Sequence, residues 1–232
     1  MTVASSGATL PATTARLIWT ELNRQRWRTR FLHGTAPRPL LPNVWDALSA
    51  RLFVAAGFDA LATTSGGVAW ALGYPDGEFA PWAEVVAATA RIVRSAQVPV
   101  TADIEAGYGA TPAEVGAHVA EIIQAGVIGI NLEDGLHGPI RSIEDAAARL
   151  RAAREAASKE GVPIVLNARC DVFQLQHGEE STRFASTVAR CKTYLAAGAD
   201  AFTPLAYAIR RRLPHSSRRS ADLSTSPVDP AC

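Results

Sequence analysis

From residue 39 the chain repeats one rhythm: a short apolar run, a loop, then an Ala-rich stretch with apolar residues at helical spacing. Strands are expected at 39–44, 58–64, 98–104, 127–133, 162–169 and 199–204, with helices near 46–56, 80–96, 112–125, 142–160 and 180–197. Thr111-Pro-Ala-Glu114 marks one helix start, because Thr and Glu three apart can satisfy each other's backbone N–H and proline suits the first helical position. Strands that alternate with helices of this length predict a parallel sheet.

The faces of these strands choose between an open sheet and a barrel. Side chains alternate along a strand, so Thr101, Asp103 and Glu105 are expected on one face, Asn131 and Glu133 on another strand's matching face, and Asn167, Arg169 and Asp171 on a third. An open sheet with helices on both sides reads apolar on both faces, whereas a barrel can turn polar strand ends inward toward a site at its C-terminal mouth. The expected fold is therefore an α/β (β/α)8 TIM-type barrel, cut short after six βα units. After Pro204 the rhythm stops, and the segment to Cys232 becomes rich in Arg, Ser and Pro. The expected organisation is an N-terminal arm and helix over 1–38, an incomplete barrel over 39–205 and a disordered tail over 206–232. The Arg210-Arg-Arg212 and Arg218-Arg219 clusters permit a nucleic-acid tail, but truncation or a reading-frame shift that replaced the last two units is the preferred account.

Composition narrows the function. A formal net charge of +1 over 232 residues gives no global pull toward nucleic acid or membrane, and neither is expected as a partner. The apolar runs are too short for a bilayer. Cys170, Cys191 and Cys232 are widely spaced, which fits reduced thiols of a cytoplasmic protein rather than a disulfide framework or a zinc site. The acid-free start resembles a transit peptide weakly; a basic N-terminal arm is preferred. Lys159 and Lys192 fall in helical stretches, so no strand carries a lysine for a Schiff base. There is no G-x-x-x-x-G-K-[ST], and Gly107-Tyr-Gly109 lacks the third glycine of a dinucleotide fingerprint. The five histidines have no ligand spacing, and His137 is read as a surface residue.

What remains is a set of acids at strand ends. Asp103, Glu105 and Glu133, with Asp76 in the loop after the second strand, would suit Mg²⁺, which keeps several waters and needs only one or two direct carboxylates. Each acid alone also fits an ordinary turn, as in Pro75-Asp-Gly77. Backbone N–H groups of Ser65-Gly66-Gly67 can hold a carboxylate or phosphonate, and the Arg169 guanidinium can stabilise oxyanion charge or serve in a structural ion pair with Asp171 or Glu133.

Together, Leu41-Pro-Asn-Val-Trp-Asp-Ala47, Thr64-Ser-Gly-Gly67, Gly73-Tyr-Pro-Asp-Gly77, Ala102-Asp-Ile-Glu-Ala-Gly-Tyr-Gly109, Asn131-Leu-Glu-Asp-Gly135, Asn167-Ala-Arg-Cys-Asp171 and Ala197-Gly-Ala-Asp200 resemble the isocitrate lyase and phosphoenolpyruvate mutase superfamily. The resemblance implies a Mg²⁺-dependent barrel acting on small 2-oxo acids or phosphonates through a metal-stabilised enolate. It makes Asp103 the direct ligand, with Asp76, Glu105 and Glu133 acting through waters. Trp45, Ser65, Gly66, Gly67, Asn131 and Arg169 would form the substrate pocket, with Asp46 in support and with Arg169 and Glu133 as the catalytic pair. Family lyases carry Lys-x-Cys-Gly-His in a loop where this chain has Leu136-His-Gly-Pro-Ile-Arg-Ser142, so the chain resembles the shorter phosphonomutase-like branch. The expected activity is cleavage of a C–C bond in a small 2-oxo or 2-hydroxy acid. The alternatives are a P–C phosphonomutase and an inactive truncated relative. A homo-oligomer is expected if the barrel is complete.

Overall fold

The structure, a computed structural model, describes residues 40–135 and 139–205. Six strands appear in chain order: β1 (Asn43–Val44), β2 (Leu61–Thr63), β3 (Val100–Asp103), β4 (Gly129–Glu133), β5 (Val165–Cys170) and β6 (Ala201–Pro204). Each pairs in parallel with the next, giving the sheet order β1-β2-β3-β4-β5-β6. Six helices lie between them: α1 (Ala47–Ala55), α2 (Ser65–Leu72), α3 (Trp82–Ala96), α4 (Pro112–Gln124), α5 (Ile143–Lys159) and α6 (Glu180–Ala196). This singly wound order is that of a partial TIM-type barrel, as the strand rhythm predicts. The proposed 1–38 arm, the 206–232 tail and His137 lie outside the described residues.

Two differences from the sequence reading have physical causes. The strands are shorter than expected at their N-terminal ends, because buried residues such as Ala60 and Ile128 extend the apolar runs beyond the paired residues. Helix α2 is additional to the helices expected from the sequence, and Ser65-Gly66-Gly67 forms its first turn. Two glycines weaken helix propensity, and eight residues are too few for the period to stand out. The capping box at Thr111 forms as expected, with Thr111 Oγ1 accepting from Glu114 N–H at 3.3 Å and Glu114 Oε2 accepting from Thr111 N–H at 2.8 Å. Asp46 builds another at α1, accepting from Ser49 N–H at 2.7 Å.

Packing assigns the two sheet faces. Ala102, Ile130, Leu132, Leu166 and Ala168 point outward into a core with helices α4 to α6. Val115, Val119, Ile122 and Ile123 supply the buried stripe of α4 at i, i+4, i+7 and i+8. Burying each such side chain stabilises the fold by about 1.5–3 kcal/mol. A second core joins Val44, Leu61 and Val100 to α1 and α3. Inside, Ala60, Ile128, Val165 and Leu41 plug the floor. Above that floor the inward residues of β3 to β5, Asp103, Asn131, Glu133, Asn167 and Arg169, are polar. At the far edge Thr203 and Pro204 of β6 are exposed.

Candidate active site

Parallel register stacks the inward polar residues in layers. Asp103 pairs with Asn131, Asn131 with Asn167, and Glu133 with Arg169. Asn167 Nδ2 donates to Asn131 Oδ1 at 2.9 Å, and Thr203 Oγ1 donates to Asn167 Oδ1 at 3.1 Å, so three strands share one polar chain. Above it, Arg169 donates from Nε and Nη2 to both oxygens of Asp171, at 2.7 and 3.1 Å. Its Nη1 lies 2.5 Å from Glu133 Oε2. Glu133 Oε2 is buried, and this ion pair is its contact with the layer. Arg169 therefore makes both structural ion pairs weighed from the sequence, while its Nη1 edge stays beside the acids.

Asp103 ends β3 and lies among N–H donors. Its own N–H donates to Thr63 Oγ1 at 2.9 Å, and Glu105 N–H reaches its Oδ1 at 3.3 Å. The Ser65 N–H also points at its carboxylate. Burial raises the Asp103 pKa above the usual carboxylate range against the opposing pull of Arg169 and these N–H groups, with Asp76 adding to the rise. Burial likewise pushes Glu133 up to about 9 despite Arg169, helped by the charges of Asp171, Asp103 and Glu105. Glu105 rises to about 7, again chiefly by burial.

Glu105 does not continue the strand face as the alternation predicts. Its φ is 52°, left-handed, because the chain turns at Ile104, whose carbonyl accepts from Gly107 N–H at 2.9 Å. Its carboxylate accepts from Glu78 N–H at 2.7 Å and Tyr108 O–H at 2.6 Å. Asp76 is exposed in the 73–81 loop and stands over α2: a Cβ on Gly66 would lie 3.3 Å from Asp76 Oδ2. Gly67 permits another close approach, since a Cβ there would sit 2.8 Å from Trp45 Cβ. Trp45 is partly exposed beside it. Thr64 leaves the start of α2 without a side-chain cap, so the first-turn N–H groups of Gly66 and Gly67 have no partner within the helix.

Among the described residues, no three His, Cys, Asp or Glu side chains are close enough to ligate one ion directly. The donor set still fits Mg²⁺, which binds through one or two carboxylates and several waters. The buried carboxylates of Asp103 and Glu133, whose pKa values burial raises, are what a hydrated cation would relieve.

A group that sequence reading missed supports the layer from behind. Asp134 is 1% exposed. Its carboxylate accepts from Asp171 N–H at 2.8 Å, Arg190 Nη1 at 2.9 Å and Tyr194 O–H at 2.7 Å. The ends of β4 and β5 are thereby tied to α6. An Arg and a Tyr four apart on one helix were the available signal, and many solvated helices share it.

A sheet of parallel strands with an acid-rich polar layer at its C-terminal ends defines a class of barrel enzymes. The phosphoenolpyruvate phosphomutase family matches residues 29–211, and the chain belongs to that family. A Mycobacterium tuberculosis protein of uncharacterised function is 38% identical over 177 residues, covering 75% of this chain and 64% of that protein. Oxaloacetate decarboxylase 2 of Pseudomonas fluorescens is 32% identical over 170 residues, covering 68% of this chain and 54% of the decarboxylase. The crystal structure of a Burkholderia cenocepacia protein provisionally named a phosphonomutase superposes with a TM-score of 0.73 at 44% identity, covering 78% of this chain and 74% of that one. The chain thus spans less than two thirds of the length of these two sequence relatives. Other relatives include an isocitrate lyase of Haloferax volcanii, 31% identical over 210 residues. Among the described residues no helix is long and apolar enough to cross a membrane.

Proposed function

We propose that the polar layer is the Mg²⁺ and substrate site of a cytoplasmic lyase that cleaves a C–C bond in a small 2-oxo or 2-hydroxy acid. The observation that carries this reading is the buried carboxylate cluster of Asp103 and Glu133 facing Arg169, directly under the uncapped start of α2. Asp103 would hold the cation directly, and Asp76 and Glu133 would reach it through waters. When bound, Mg²⁺ supplies Lewis-acid stabilisation of negative charge developing on the substrate. The chain's own groups do the rest. The N–H groups of Gly66 and Gly67 receive the substrate carboxylate, where the positive end of the helix dipole favours an anion. Arg169 Nη1 faces the charge that develops as the bond breaks, in a site where burial strengthens each such contact. Glu133, paired with Arg169, faces the same charge and holds its guanidinium in place. Asn131 and Trp45 bound the pocket.

A P–C phosphonomutase is the second reading, favoured by the 44% identity to the Burkholderia cenocepacia protein. Assays of oxaloacetate, methylisocitrate and phosphonopyruvate with Mg²⁺, each compared with Asp103→Ala, separate the two. Turnover of either class that is lost in the variant supports the site. No turnover, combined with equal metal binding by both proteins, refutes it and leaves the inactive-relative reading.

A further inference from the structure

We propose that Glu105 is a positioning residue, a clamp that fixes the Asp76 loop over α2, rather than a ligand that meets the cation through water. The inference rests on the magnesium reading only in what the clamp is for. The geometry of the clamp stands on its own. Both Glu105 oxygens are engaged: one takes the Glu78 N–H at 2.7 Å and the other takes the Tyr108 O–H at 2.6 Å. Glu78 closes the circuit, its Oε1 accepting from the Tyr108 N–H at 2.6 Å. All three residues hold left-handed backbone without being glycine, with φ of 60° at Glu78, 52° at Glu105 and 56° at Tyr108. Such conformations persist only where their surroundings over-determine them, and here each of the three is tied to the other two.

The circuit is anchored outside the site as well. Trp82 packs on Tyr108 with ring centroids 5.1 Å apart and on His118 at 4.9 Å, and His118 Nδ1 lies 3.0 Å from the Gly107 carbonyl oxygen. Asp76 sits two residues before Glu78, between this clamp and the first turn of α2 at Gly66. Side-chain length is therefore the decisive property at position 105. An aspartate would fall short by one C–C bond, about 1.5 Å, and would release both donors. Glutamine would keep the reach, its amide oxygen accepting from Glu78 N–H and its NH2 donating to the Tyr108 hydroxyl oxygen.

Hydrogen exchange of residues 73–81 in the full chain, without added cation, reads the clamp directly in Glu105→Gln and Glu105→Asp. Exchange should rise about tenfold or more in Glu105→Asp and stay within about twofold of wild type in Glu105→Gln. The rise in melting temperature on adding Mg²⁺ should follow the same order, kept in Glu105→Gln and lost in Glu105→Asp. Exchange that rises equally in both variants, or in neither, overturns the clamp. So does a Mg²⁺ response lost in Glu105→Gln but kept in Glu105→Asp, which is the behaviour of a charged ligand. If Glu105→Asp does not fold, Tyr108→Phe removes one of the two donors and must still raise exchange over 73–81; unchanged exchange overturns the proposal. A wild-type melt indifferent to Mg²⁺ refutes the magnesium reading separately, and the exchange data still decide the clamp.

Discussion

Asp134→Ala tests whether the α6 buttress holds the polar layer. The substitution removes one carboxylate, leaves Tyr194 O–H and Asp171 N–H without their acceptor, and leaves Arg190 Nη1 only the Tyr194 hydroxyl. The Arg190 side chain is 5% exposed and Asp134 1%, so water cannot replace the lost acceptor. Breaking a buried pair from one side typically costs about 3–5 kcal/mol, because the remaining charge stays desolvated. For a chain of this size that lowers the melting temperature by roughly 10 °C. Tyr194→Phe removes one donor to Asp134 and the hydroxyl that accepts from Arg190 at 2.8 Å, yet leaves the ion pair, so it should cost only about 1–2 kcal/mol. Urea titrations of wild type, both single variants and the double variant measure these differences. The double should cost less than the sum, since both changes remove the same hydrogen bond. A cost below about 1 kcal/mol for Asp134→Ala in a folded protein would refute the reasoning. Because Asp134 also holds the N–H of Asp171, whose carboxylate orients Arg169, the variant should further weaken substrate binding.

Other expectations follow from the same geometry. In EDTA, stability should fall as pH rises from about 5 toward 9. The folded state keeps protons on Glu133 and Glu105, raised to about 9 and about 7, that the unfolded chain releases near the ordinary value of 4.5. Glu133→Gln should flatten that slope, and a pH-stability curve that rises or stays level in wild type contradicts the assignment. Asp103→Asn should raise the metal-free melting temperature by relieving a buried charge while abolishing the response to Mg²⁺, and thermal melts with and without the ion measure both. Gly67→Ala should destabilise by about 1–3 kcal/mol, measured by urea titration, because overpacking outweighs the gain in helix propensity. The added methyl would sit 2.7 Å from Thr64 Cγ2 and 2.8 Å from Trp45 Cβ.

Much of this molecule is legible in one dimension. The period of apolar residues specifies strands and helices because each element must bury one face, and repetition of the unit predicts parallel pairing in chain order. Alternation places Asp103, Asn131, Glu133, Asn167 and Arg169 on the inward face, since side-chain direction on a strand is fixed by parity. Alternation fails where the strand ends. Glu105 turns away because a left-handed residue breaks the parity, and nothing in Asp103-Ile-Glu105 announces that. Helix α2 is hidden because a Gly-Gly pair reads as a turn until close packing of Gly67 against Trp45 and Thr64 shows why glycine fits there. Asp134 escaped because its partners, Arg190 and Tyr194, are 56 and 60 residues away and meet it only when α6 docks. The sequence by itself determined which residues are chemically able to bind an anion and a cation, and on which face of the sheet most of them lie. Tertiary structure alone decided their protonation, their partners and the reach of Glu105, because desolvation and hydrogen-bond geometry are properties of neighbours that the chain brings together only on folding.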